Sequence, residues 1–192
     1  MNEYAGLAMQ VAAGIGLAAC TGLRAFLPLF ATGVAAKLGW ITLGVRFGWL
    51  SSWPAITIFG VAVVTEIIAD KIPVVDHALD LLQVFIKPAA GAVLLAAVVT
   101  DLAPLPAAVL GIIAGGSTAG IFHLAKAKLR IASTLASGGL ANPLISVAED
   151  GLVLLGTILS LVVPILMLAG LIGVALTVAL VLRGRRPRSA SR

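Results

Sequence analysis

Half of the acidic residues of this chain lie in one stretch. The segment TEIIADKIPVVDHALD, residues 65–80, holds Glu66, Asp70, Asp76 and Asp80, four of the eight Asp and Glu, with Lys71 and His77 among them. Glu66 and Asp70 are four apart, as are Asp76 and Asp80, and His77 precedes Asp80 by three. Each group therefore shares one face of a helix. Pro73 turns the chain between the two helices, which lets both carboxylate pairs converge at one hairpin. Carboxylates crowded in a poorly solvated place cannot all ionise. They either share protons, as in a proton carrier, or take a cation. Arg24, Lys71 and Lys87 are the cation candidates. Arg24 stands out, because an unpaired guanidinium inside an apolar run is costly, and it is expected to pair with Glu66 or Asp70. A second acidic pair, Glu149-Asp150, lies beyond Pro143, deep for charges that merely favour a helix start.

Other chemistries are less well served. Glu66, Asp70, Asp76, His77 and Asp80 offer oxygen ligands and one imidazole, compatible with Mn, Fe or Zn, yet they do not form the Glu-x-x-His pair of di-iron bundles. A divalent metal is thus a weak candidate, and no cofactor is the expectation. No His-Glu-x-x-His, Gly-x-Ser-x-Gly or phosphate-binding Gly-Lys-Ser occurs. The sequence leans away from an enzyme. Acid–base work on a lipid or isoprenoid by Asp76, His77 and Asp80 is the enzymatic alternative.

The elements that must carry these residues are membrane helices. The chain has 192 residues, of which 60% are hydrophobic and 11% charged, and its mean hydropathy is +1.14. Residues 151–182 carry no charge at all, whereas a soluble helix shows a polar face every turn. The long Ala/Leu/Val/Gly blocks do not alternate as barrel strands do. The fold class is therefore all-α: a polytopic membrane bundle of about six spans, forming one domain over 1–183. Met-Asn-Glu-Tyr lacks the basic start of a secretory signal, so the N-terminus is expected to be retained. Cys20, the one cysteine, allows neither an internal disulfide nor a cysteine metal site.

Residues 5–36 are about 48 Å of helix at 1.5 Å per residue, too long for one comfortable span. Gly22 and Pro28 bracket Arg24, which predicts a break or kink there. Residues 38–53 hold Trp40, Trp49 and Trp53 and read as interfacial. Pro54 opens a span to about Asp70, and a further helix is expected from near Asp76 past Lys87-Pro88 to Thr100. TDLAPLPAA reads as a turn. Residues 107–125 form another span, whose Gly111, Gly115, Gly116 and Gly120 allow close approach of a helix or a homo-oligomer contact. The basic KAKLR and a Gly/Ser-rich link follow, then a helix with Asn142 as N-cap, and Pro164 divides residues 144–183 into two spans.

Eight of the thirteen Lys and Arg are Lys126, Lys128, Arg130 or lie from Arg183 onward. The positive-inside rule then places both termini in the cytoplasm, with residues 184–192 a disordered basic tail. No base-stacking aromatics accompany this charge, so nucleic acid is not expected as a partner. PVVDHALDLL and PLISVAEDGL share a proline followed seven positions later by Asp80 or Asp150. This weak match allows a 3+3 inverted repeat of 5–101 and 105–183, as some transporters have.

TGLRAFLPL, EIIADKIPVVDHALDLLQVFIKPAAGA, HLAKAKLR and NPLISVAEDG together resemble a bacterial membrane family catalogued as domain of unknown function family 4126. The resemblance runs from about Gly14 to Pro164, and its most specific part is Glu-x-x-x-Asp-Lys-x-Pro-x-x-Asp-His. It implies a multi-pass bacterial inner-membrane protein and brings no catalytic assignment.

The leading expectation is a small transporter or channel-like protein moving a small solute or ion through the bilayer, coupled to a proton or cation. The candidate binding residues are Arg24, Glu66, Asp70, Asp76, His77, Asp80, Lys87, Glu149 and Asp150. Carboxylates would take the proton or cation, while Arg24, Lys87 and the start of the broken helix would receive an anionic group. The alternatives are the membrane enzyme above and a non-catalytic scaffold or assembly factor.

Overall fold

A computed structural model describes residues 3–70, 73–138 and 140–184, and the described residues are almost entirely helical. Helix α1 (Glu3–Leu23) stops at Arg24 and Ala25, and α2 (Phe26–Lys37) begins at once. The break therefore falls at the position the sequence marks. Pro28 sits in the first turn of α2, where its missing N–H and fixed φ cost little. A 3-10 helix (Val45–Ser51) meets α3 (Trp53–Ala69) at 60°. Ser52 caps α3 by accepting from the Ala55 amide at 3.3 Å, and Pro54 occupies the first turn.

Helix α4 (Pro73–Val98) starts at Pro73 rather than near Asp76 and passes through Pro88. Then α5 (Pro104–Leu110), a π-helical segment (Gly111–Gly116) and α6 (Ser117–Ser137) run on as one rod of 34 residues. Two sequence expectations are corrected here. Pro104 and Pro106 begin a helix instead of making a turn, because the first turn has no partner for those amides anyway. The span expected to end near residue 125 runs on through KAKLR and most of the Gly/Ser-rich link as α6, and ends only at Gly138 in the left-handed region, φ 62°. Helix α7 (Asn142–Val162) takes Asn142 as its first residue rather than its cap, and α8 (Pro164–Gly184) follows the division at Pro164.

Helix α1 lies at the centre, against α4, α6, α7 and α8. Its direction gives the bundle two ends. At one, Gln10 accepts from the Thr100 amide at 2.9 Å and the Asp101 amide at 3.1 Å. Met9, Gln10, Thr100 and Pro164 share a cavity of about 330 Å³ there. At the other, Arg24 meets the end of α3 and α7, and the Leu23 carbonyl beside it accepts from Lys126 of α6. Helix α7 runs antiparallel to α1, with Ser160 at Gly16, Gly156 at Cys20 and Ser146 at Arg24. Helix α8 starts at the Gln10 end, Met167 lying on Gly16. Helix α2 turns back along α3, with Phe26 at Glu66, Phe30 at Gly60 and Gly33 at Leu50. Between the ends, Leu17, Leu50, Leu94 and Ala97 are fully buried.

Two glycines bring α4 and the 34-residue rod into backbone contact. A Cβ on Gly91 would stand 2.6 Å from the Ala119 Cβ and 2.7 Å from the Gly115 oxygen. The small-residue face at Gly111 and Gly115 is thus buried against α4 of the same chain. Among the described residues, four helices are long and apolar enough to cross a membrane, or five if the bent pair at Ser52 counts as one span. Helix α8 exposes Ile165, Leu166, Val174 and Leu180, a surface suited to lipid and not to water.

Candidate functional site

Breaking a helix leaves amides at the new start without carbonyl partners, and the chain fills this need from a distant segment. The Glu66 carboxylate accepts from Ala25 N at 2.9 Å and Phe26 N at 3.2 Å, one oxygen to each, and from Gln83 Nε2 at 3.4 Å. Glu66 is 3% exposed. The start of α2, expected to receive an anionic group, is therefore already occupied by a carboxylate of the protein itself.

Arg24, in the break, is 1% exposed. One guanidinium nitrogen lies 2.5 Å from Asp70 Oδ2 and donates to the Glu66 carbonyl at 3.3 Å. Another lies 2.6 Å from Asp150 Oδ1 and donates to Ser146 Oγ at 2.9 Å. Arg24 thus ties the end of α3 to α7. Asp70 Oδ2 also receives Arg130 at 3.0 Å and Lys126 Nζ at 3.3 Å, so three cations meet one oxygen. Lys126 donates further to the Leu23 carbonyl at 3.1 Å and lies 3.0 Å from Glu149 Oε2, with Arg130 3.9 Å from the same atom. The fork geometry of the two arginines suits this sharing of carboxylates.

Asp70 lies one residue beyond α3. Burial pushes its carboxyl up, but Lys126, Arg24 and Arg130 together outweigh burial and hold it below the usual carboxylate range. Around Arg24, then, among the described residues, three cations (Arg24, Lys126, Arg130) pair with three carboxylates (Asp70, Glu149, Asp150), and Glu66 adds a fourth carboxylate on the amides of Ala25 and Phe26. Asp150 differs from the others in exposure: its side chain is 23% exposed, against 1% for Asp70 and 6% for Glu149.

Of the residues singled out in the sequence, Arg24, Glu66, Asp70, Glu149 and Asp150 come together. Lys87 is fully buried rather than snorkelling, its Nζ 3.2 Å from His123 Nδ1. The side chains of Asp76, His77 and Asp80, on the opening turns of α4, lie outside the described residues, as does Lys71. Among the described residues no group of three His, Cys, Asp or Glu is arranged to hold a metal. The sequence reading missed Lys126, Arg130, Ser146 and Gln83. Ala119, His123, Lys126 and Arg130 are the buried positions of α6, spaced by three and four residues. That periodicity was the available signal for the two cations. Ser146 and Gln83 carried none.

Chemically, such a cluster can exchange one counter-ion of a buried guanidinium for another. A family model described as a domain of unknown function, DUF4126, matches residues 11–184. No curated protein and no solved structure matches the chain.

Proposed function

We propose, for a chain that belongs to the DUF4126 family and takes no activity from that membership, that it is a small membrane transporter or channel-like protein. It moves a small solute or ion, coupled to a proton or cation through the cluster at Arg24. The observation that carries this reading is the convergence of Arg24, Asp70, Lys126, Arg130, Glu149 and Asp150 at the break between α1 and α2. Charges removed from water cost several kcal/mol each unless fully paired, and apolar residues of like size could hold the same helices as well. A buried set drawn from four segments, with one member open to solvent, therefore favours work on ions over mere adhesion. The cavity at Gln10 lies at the other end, with the Leu17 and Leu94 layer between, as in a carrier closed between its two openings.

In the bilayer, the cluster end is taken as cytoplasmic, since Lys126, Lys128 and Arg130 belong to it. Helix α1, which starts at the Gln10 end, then begins on the outer face, in place of the two cytoplasmic termini read from the sequence. An inner-membrane location goes with this reading. The six-span count and the 3+3 repeat fit less simply, because α2 in residues 5–101 lacks a counterpart among the described residues of 105–183. A homo-oligomer would have to form without Gly111 and Gly115, which face α4. The test is flux into proteoliposomes under an imposed pH gradient. Glu66→Gln and Asp70→Asn should both slow it, and wild-type flux in both would remove these carboxylates from the mechanism.

A further inference from the structure

Among the described members of the cluster, Asp150 is the one that combines a direct hold on buried Arg24 with exposure at the protein surface. Its Oδ1 is 2.6 Å from the same guanidinium nitrogen that donates to Ser146 Oγ. Ser146 is itself fully buried, and its hydroxyl, having accepted from Arg24, keeps a proton to give. Removing the Asp150 carboxylate from this place would leave a guanidinium nitrogen and a hydroxyl side by side, the donor pair that a carboxylate or phosphate oxygen accepts. The other anion-binding feature nearby, the start of α2, is closed by Glu66.

Charge decides when such an exchange can occur. The other groups around Asp150 are Arg24 at the break, Lys126 and Arg130 from α6, Asp70 and Glu66 from α3 and its end, and Glu149 on its own helix. Asp76, His77 and Asp80 belong to the opening turns of α4. Adding an anion here unmatched would place one more uncompensated negative charge among buried groups, which is strongly disfavoured. Adding it together with one proton on Asp150 leaves the total unchanged. The neutral acid releases Arg24, and the anion takes its place.

We propose that Arg24 and Ser146 form the site for a small oxyanion, a carboxylate or a phosphate group, that enters in exchange for Asp150 with one proton. This rests on the transport reading for its purpose, though its measurement is separate. The experiment is acetate and inorganic phosphate binding to the full chain in phosphatidylcholine nanodiscs, by calorimetry, across about pH 5 to 8. A second arm uses phosphatidylglycerol nanodiscs without added anion, followed by thermal unfolding, to separate a lipid headgroup from a free solute. In the wild type, affinity in at least one arm should fall as the pH rises, by about tenfold per pH unit at its steepest, the signature of one proton per anion. Asp150→Asn should bind with no such slope, and Ser146→Ala, which leaves every charge in place, should bind several-fold more weakly with the slope intact. No pH-linked binding in either arm, or a slope that persists in Asp150→Asn, overturns the proposal. Linked binding without flux would count against the transport reading alone, and flux without linked binding against this inference alone.

Discussion

Asp70→Asn removes one negative charge from a place where three cations meet a single oxygen at 2.5, 3.0 and 3.3 Å. The change in shape is small, and the change in charge is not. Among the described ion pairs, Arg24 keeps Asp150, Lys126 keeps Glu149, and Arg130 keeps Glu149 at 3.9 Å, so the site loses one negative charge with no cation removed. Two unit charges about 4 Å apart interact by about 4 kcal/mol at the effective dielectric of a protein, and breaking a buried pair typically costs about 3–5 kcal/mol. The single variant should lose about that much in an unfolding titration with dodecyl sulfate in mixed micelles. Combining Asp70→Asn with Arg130→Gln restores the balance, so the double variant should recover at least about 2 kcal/mol relative to the sum of the singles. A loss below about 1 kcal/mol in Asp70→Asn, or additivity within about 0.5 kcal/mol in the cycle, would refute the charge-balance reasoning.

Three further outcomes follow from the geometry. Glu66→Gln leaves one acceptor oxygen where two served Ala25 and Phe26, so the start of α2 should lose about 1–2 kcal/mol; the amides of Ala25 and Phe26 should exchange faster while that of Leu94 does not, and unchanged exchange would sink the capping role. Gly91→Ala puts a methyl against backbone and should cost about 1–3 kcal/mol, whereas Gly151→Ala, with nothing within 4 Å, should be neutral or slightly stabilising; equal effects would contradict the α4 contact. Protease-cleavable tags on the two ends of the chain should be cut from opposite faces of oriented vesicles, and cleavage of both from one face would reverse the proposed topology.

The break at Arg24 was legible because its determinants are local: a glycine and a proline flank a charge that an apolar helix cannot carry alone. The partner was legible within one turn, since few acids exist in the chain. Asp70 takes the guanidinium with its side chain, and Glu66 takes it with its carbonyl while its carboxylate turns to α2. What escaped the sequence reading was long-range. Lys126 and Arg130 looked like a topology signal because a basic run beside glycines and serines resembles a loop. Only a continuous α6 puts them four apart on a buried face. Pro104 and Pro106 misled for a related reason, as a proline pair ends one helix or starts another with the same composition. The return of α2 along α3 left no trace in hydropathy, since twelve apolar residues look alike in either direction.

The central claim is that the cluster works on ions as well as holding helices. The most direct test removes one charge of each sign. Arg24→Gln with Asp150→Asn leaves the net charge of the site as it was, and Lys126 and Arg130 keep Asp70 and Glu149, so a folded chain should survive in the unfolding titration. In proteoliposomes under an imposed pH gradient, carrying acetate or phosphate, this folded double variant should lose the flux that the wild type shows. Flux equal to the wild type from the folded double variant would contradict the account.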